Sequence, residues 1–240
     1  MIETFTALLL AHALADFLFQ PDGMARNKAR PSVMLLHGLI VLATAQLVTG
    51  QPARLEILAL ALVHVAIDGA KIVLRGRGLA AFLIDQAAHL ASLAALALYV
   101  PDLWSTGAWT SGLGPLPPLA PGLPLPQILA VAAGAVIAVR GGQFAVGLLM
   151  ARYRHRVRTP GLPDGGRLIG LLERGLIYAL ILMGQPVGVG FLIAAKSVLR
   201  FGTASKDQKT AEYVIIGTLA SFGWALLTAW AVTGLLALLL

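Results

Sequence analysis

An all-α bundle of membrane-spanning helices is the fold the sequence predicts, and three observations predict it. The chain is 58% hydrophobic and only 12% charged, with a mean hydropathy of +0.83, far from the composition of a soluble domain. Its apolar residues are gathered into runs near the roughly 20 residues that a helix needs to cross a hydrocarbon core. Its basic residues gather in alternate connections between those runs. Runs so long and so uniformly apolar do not suit barrel strands, and helices satisfy their own backbone in lipid.

In order, the runs are Met1–Gln20, Pro31–Thr49, Arg54–Leu74, Leu79–Val100, Pro126–Ala151, Arg167–Gly184, Pro186–Phe201 and Ala211–Leu240, which predicts about eight spans. The seventh is the shortest, long enough to cross only about 24 Å as a helix, so a re-entrant segment is its alternative. The first run follows no basic segment and carries His12 and Asp16, so it is expected to stay as a span and not to be cleaved as a signal peptide. A proline-rich outer loop with Trp104 and Trp109 fills the gap after Val100 and reads as an irregular segment at the membrane interface. The predicted organisation is therefore an N-terminal four-helix unit (1–100), the loop (101–125) and a C-terminal four-helix unit (126–240).

Orientation follows from charge. Arg26, Lys28 and Arg30, then Lys71, Arg75 and Arg77, then Arg152, Arg154, Arg156 and Arg158, and finally Arg200, Lys206 and Lys209 occupy every second connection. The positive-inside rule puts these loops in the cytoplasm and both termini outside it. The net charge of +7 is explained by this topology and does not call for nucleic acid; membrane lipid is the expected partner. There is no cysteine, which excludes disulfides, thiolate metal sites and cysteine nucleophiles.

Chemistry enters through a repeated spacing. His12-x3-Asp16 is followed by His37, and His64-x3-Asp68 by His89, with the two histidines 25 residues apart each time and the copies offset by 52 residues. Members four apart share a helix face, separated by roughly 6 Å along the axis. Asp85 and His89 repeat the pairing in reverse. In antiparallel hairpins all these positions come to one depth, on the cytoplasmic side, and two hairpins starting from the same side imply a pseudo-two-fold axis along the membrane normal. The duplication is imperfect, since Asp85 has only Val33 as its counterpart.

A single intramembrane histidine is explained by an interhelical hydrogen bond. Seven ionisable groups at one depth are not, because three buried carboxylates demand a cation. His12, Asp16, His37, His64, Asp68, Asp85 and His89 are accordingly the expected metal ligands, for one or two divalent ions of zinc, manganese or iron. Asp85 is the expected base or bridging ligand. Haem ligation is the competing use of such histidines, but a carboxylate one turn away disfavours an apolar haem slot. His155, in an arginine-rich loop, is expected to be solvated.

The C-terminal unit holds a second polar set: Arg140 and Gln143, Glu173 and Arg174, and Lys196. If these face inward, Glu173 pairs with a neighbouring cation and serves as a catalytic carboxylate, while Arg140, Arg174 and Lys196 bind an anionic substrate. If Gly165–Arg174 lies at the interface instead, Glu173 is merely solvated.

The stretches Ala11–Gln20, Leu83–His89, Gly166–Arg174, Ala194–Phe201 and Ala211–Thr218 are similar to the bacterial membrane-protein family catalogued as domain of unknown function 3307. This likeness covers most of the chain outside the outer loop. It implies a multi-pass protein of the bacterial inner membrane and no particular activity. His-x3-Asp pairs in short membrane helices also resemble those of inner-membrane metal-dependent hydrolases. Three functions are consistent with the residues: a metal-dependent hydrolase acting on an anionic lipid or phosphoester, a divalent-cation or proton-coupled transporter, and a scaffold with a structural metal. The outer halves of the first four spans carry little polarity beyond Thr4, Thr6, Thr44, Gln46, Glu56 and Ser92. A one-sided site favours catalysis over conduction.

Overall fold

The computed structural model describes residues 1–112, 122, 124–153, 164–204 and 208–240, with side chains omitted for 199–204. Arg154, His155, Arg156, Arg158 and Lys206, and the side chain of Arg200, therefore lie outside the described residues. The described residues are helical and include no strand. The helices are α1 (Ile2–Phe17), α2 (Asp22–Arg26), α3 (Pro31–Thr49), α4 (Leu55–Val73), α5 (Gly78–Tyr99), α6 (Ala108–Ser111), α7 (Leu125–Val136), α8 (Gly142–Ala151), α9 (Gly165–Leu182), α10 (Pro186–Ala204) and α11 (Gln208–Leu238), with a π-helical turn at Ile137–Gly141 between α7 and α8.

Each of the eight predicted runs contains helix, but four stand out as long and apolar enough to cross a membrane: Pro31–Thr49, Gly78–Tyr99, Leu125–Ala151 and Gln208–Leu238. The α4 helix has comparable length but carries Glu56, Asp68 and Lys71. The α1 helix spans 16 residues, about 24 Å. Helix ends follow local chemistry. Proline opens α3 at a position where its missing N–H costs nothing, and Gly50 closes it in the left-handed region at φ 68°.

Two compact units divide the chain, Met1–Val136 with Leu235–Leu240, and Ile137–Gly234. The division falls inside the fifth apolar run, at the π turn. In the first unit α1 is the central helix, packed by α3, α5 and α7. It is buried on nearly every side, its polar Thr4, Thr6, His12 and Asp16 included, and Ala7, Leu8, Ala13 and Ala15 are essentially inaccessible. The helices around it turn large apolar side chains outward. Leu35, Leu47, Leu62, Ile84 and Leu98 are all more than 60% exposed, a belt of apolar surface that suits lipid and not water.

One end of this unit is closed. The segment after α5 folds back over it: Thr4 Oγ1 donates to Pro101 O at 2.9 Å and accepts from the Trp104 amide at 3.2 Å. Gln51 Nε2 donates to Leu103 O at 2.7 Å, and Trp109 Nε1 to Leu47 O at 2.9 Å. Gly107 rests directly on the carbonyl of Thr49, leaving no room for a side chain. The stretch from Pro101 to Gly112 is thus an ordered cap, whose own Leu103 and Trp104 are buried. The irregular segment expected from the sequence extends to residue 125, of which 113–121 and 123 lie outside the described residues, and the short α6 turn carries no signal of its own.

In the second unit, Ile177, Val189, Phe222 and Ala225 form the core, and helices α9, α10 and α11 carry it.

Candidate metal centre

At the end opposite the cap, the late part of α1, the early part of α3, the late part of α4 and the early part of α5 come to the same level. They bring together all seven residues read as metal ligands, each 7% exposed or less. Close approach of α3 and α4 is set by Gly38, where a Cβ would lie only 2.8 Å from Val65 Cγ2. The neighbouring His37 thereby reaches His64, their Nε2 atoms 3.1 Å apart.

Asp16 Oδ1 completes a triangle, 3.3 Å from His37 Nε2 and 3.2 Å from His64 Nε2. A tetrahedral ion bound to nitrogen and oxygen at about 2.0–2.2 Å holds its ligands about 3.3–3.5 Å apart, so these three atoms are placed as three corners of such a site. One proton cannot serve all three contacts at once, whereas one cation can. Asp68 Oδ2 meets the same two nitrogens at 3.4 and 3.5 Å.

Three ligand triads overlap here: His12 with His64 and His89, Asp16 with His37 and His64, and Asp68 with Asp85 and His89. The His64 and His89 rings stack with centroids 4.0 Å apart. His89 Nε2 stands 3.8 Å from both Asp68 Oδ1 and Asp85 Oδ1, beyond hydrogen-bond distance. Asp85 Oδ1, His12 Nδ1 and both ring nitrogens of His89 are buried without a hydrogen bond. Buried polar atoms of this kind gathered at one place could hold a divalent cation, whose chemistry their nitrogen and oxygen donors suit.

Four further side chains organise the cluster. Lys28 pairs with Asp68 at 2.6 Å and Lys71 with Asp85 at 2.8 Å; both lysines are partly exposed and mark the side on which the cluster meets its surroundings. Gln20 Nε2 lies 3.1 Å from His37 Nδ1. Gln86 does most: its Oε1 lies 3.2 Å from His12 Nε2, and its Nε2 donates to Asp16 Oδ2 at 3.3 Å. With His12 donating from Nε2, the ring presents its unprotonated Nδ1 for coordination. From the sequence, the two lysines stand out only as loop charges, and the two glutamines not at all. Gln86 has a usable signal, a second polar residue beside Asp85 within an apolar run.

The remaining candidates belong to the second unit. Glu173 is partly buried and paired with Lys196 at 2.6 Å, and it joins none of the ligand triads among the described residues. Arg174 is buried and donates to Val139 O through Nε and Nη2 and to Ser221 Oγ through Nη1. Arg140 Nη1 donates to Gln143 Oε1 at 2.9 Å.

Helices of membrane-crossing length, an apolar outer belt and a buried His/Asp cluster able to hold a metal define a helical membrane protein with a candidate metal centre. Residues 4–112 match the family described as "Protein of unknown function (DUF3307)". The match takes in the entire His/Asp cluster and the ordered cap, and ends before the C-terminal stretches in which the sequence also resembles that family. No curated protein and no solved structure matches the chain.

Proposed function

We propose that the protein is a membrane-embedded, divalent-metal-dependent hydrolase acting on an anionic lipid or phosphoester. The observation that carries this reading is the set of overlapping triads at one end of a bundle whose other end is capped. A cation conductor needs polar groups from face to face. Here the polar cluster stops at mid-bundle, and buried Ala7 and Leu8 separate it from the cap. Asp16, His37 and His64 would hold a metal ion, and such an ion would supply an activated water for hydrolysis. Sharing of His64 and His89 between triads leaves room for a second ion. Asp85, which stands beside His89 and whose Oδ2 is held by Lys71, would serve as the general base.

The topology that goes with this function has eight spans, both termini outside the cytoplasm and the Lys28 and Lys71 end facing the cytoplasm of a bacterial inner membrane. The α1–α3 and α4–α5 pairs are the two repeated hairpins, each supplying a His-x3-Asp and a further histidine.

Element analysis of the full chain in detergent, beside His64→Ala and Asp68→Ala, tests the centre. About one or two equivalents of Zn, Mn or Fe in the wild type, lost in His64→Ala, is the expected result; a wild-type protein free of first-row metals after loading overturns it. Release of phosphate or alcohol from phosphoesters with and without chelator then tests the activity, against metal uptake into proteoliposomes. Uptake without turnover assigns the centre to transport.

A further inference from the structure

The second unit contains a cavity of about 430 Å³, within the range of small-molecule sites. It is lined on one side by Arg167, Arg174, Lys196 and Glu173, and on another by apolar residues that include Val146, Met150 and Val214. The guanidinium of Arg174 decides its chemistry. This side chain is 3% exposed, and its partners are neutral: Val139 O at 2.9 and 3.2 Å and Ser221 Oγ at 3.0 Å.

No carboxylate among the described residues forms an ion pair with Arg174; the adjacent Glu173 is engaged by Lys196 at 2.6 Å. A buried cation without a counter-ion is costly unless an anion arrives.

The surrounding fold is shaped to hold that guanidinium still. The π turn at Ile137–Gly141 breaks the regular helical ladder, and there Val139 O accepts both Arg174 bonds while Ile137 O accepts Trp224 Nε1 at 2.9 Å. Glycine stands at both points where a side chain would intrude. A Cβ at Gly170 would lie 2.9 Å from Arg174 Nη1, and one at Gly142 2.7 Å from Arg174 Cδ. Of the five N–H groups of an arginine, three are used by these acceptors, which leaves one on each terminal nitrogen for a ligand. Three cations against one carboxylate leave two positive charges, matching the roughly −1.5 to −2 of a phosphate monoester at neutral pH.

We propose that this cavity binds a phosphate-bearing ligand, with Arg174 as its fixed anchor and Arg167 at its exposed rim. The cavity is a binding site in its own right and does not depend on the metal centre. Its apolar wall suits the chain of an amphiphile, and its cations suit the headgroup or free phosphate alike.

The full chain in detergent is titrated by calorimetry with dioctanoyl phosphatidic acid, with neutral dioctanoylglycerol and with inorganic phosphate. Binding of phosphatidic acid at least about 30-fold tighter than of dioctanoylglycerol is expected, and equal binding of the two overturns the proposal. Competition by inorganic phosphate identifies free phosphate as sufficient, whereas binding of the lipid alone identifies the amphiphile. Arg174→Met should weaken phosphatidic acid by about 30-fold. Because that residue also ties α9 to the π turn, Arg167→Gln serves as the variant at an exposed position, with an expected loss of about 3- to 10-fold. Wild-type affinity in a folded Arg174→Met, or in Arg167→Gln, sinks the assignment.

Discussion

Lys28 Nζ lies 2.6 Å from Asp68 Oδ2, and that same oxygen stands 3.4 and 3.5 Å from the Nε2 atoms of His37 and His64. The ammonium and a metal ion would therefore address one carboxylate from two directions. Each draws on the same lone pairs, and the two positive charges repel. Replacing the lysine by an apolar residue of similar length should release the carboxylate for the metal. Lys28→Met is expected to bind zinc about 10-fold more tightly than wild type, a gain of about 1.4 kcal/mol, measured by competition with a chromophoric chelator. Unchanged or weaker affinity would mean that the lysine supports the site and does not compete for it.

Gln86 contacts His12 and donates to Asp16, so it fixes one ring and one carboxylate of the cluster without being a metal ligand itself. Loss of such an orienting partner ordinarily costs 10- to 100-fold in metal affinity while leaving the ligands in place. Gln86→Leu should show that loss with an unchanged number of ions at saturation. A fall in the number of ions bound would instead make Gln86 part of the coordination.

The four histidines and three aspartates are legible in the sequence because ionisable groups are costly in lipid, so a set of them at helical spacing inside apolar runs marks a shared site. Their organisers are not legible. Lys28 and Lys71 sit next to turns, and whether a lysine there reaches inward or snorkels outward depends on the path of the chain, not on spacing. Equally hidden is the unequal burial of α1 and α4: α1 is enclosed while α4 exposes Leu58, Leu62 and Val63, and nothing in two apolar patterns says which one another helix will cover. In the second unit Arg174 is legible as a residue, but the Val139 carbonyl that holds it is freed by a π turn that has no composition signal of its own.

Gly38 offers a test of how tightly packing sets the ligand geometry. A Cβ there would come within 2.8 Å of Val65 Cγ2, while one at Gly69 would meet nothing within 4 Å. Val65 is stiff at χ1, so Gly38→Ala must move α3 away from α4 and part His37 from His64. Forced overpacking typically costs about 1–3 kcal/mol, and zinc affinity should fall about 10-fold or more. Gly69→Ala, on the same helix as His64, should leave it unchanged. Equal affinity in both variants would show that the histidines adjust independently of helix separation.

The cap supplies the contrasting case, a structural element expected to act on stability and not on the metal. Thr4 is fully buried and uses its one hydroxyl twice, donating to Pro101 O and accepting the Trp104 amide. Thr4→Val keeps the shape but leaves that amide without its acceptor, and a buried unsatisfied group of this kind costs about 1–3 kcal/mol. Pro101 O keeps a second donor, the terminal ammonium of Met1 at 2.9 Å, so the loss should sit at the lower end of that range. Unfolding in detergent should therefore shift to lower denaturant concentration while the protein still binds the wild-type number of ions. Loss of metal along with the stability would mean that the closed end and the His/Asp end are held by one cooperative unit through α1.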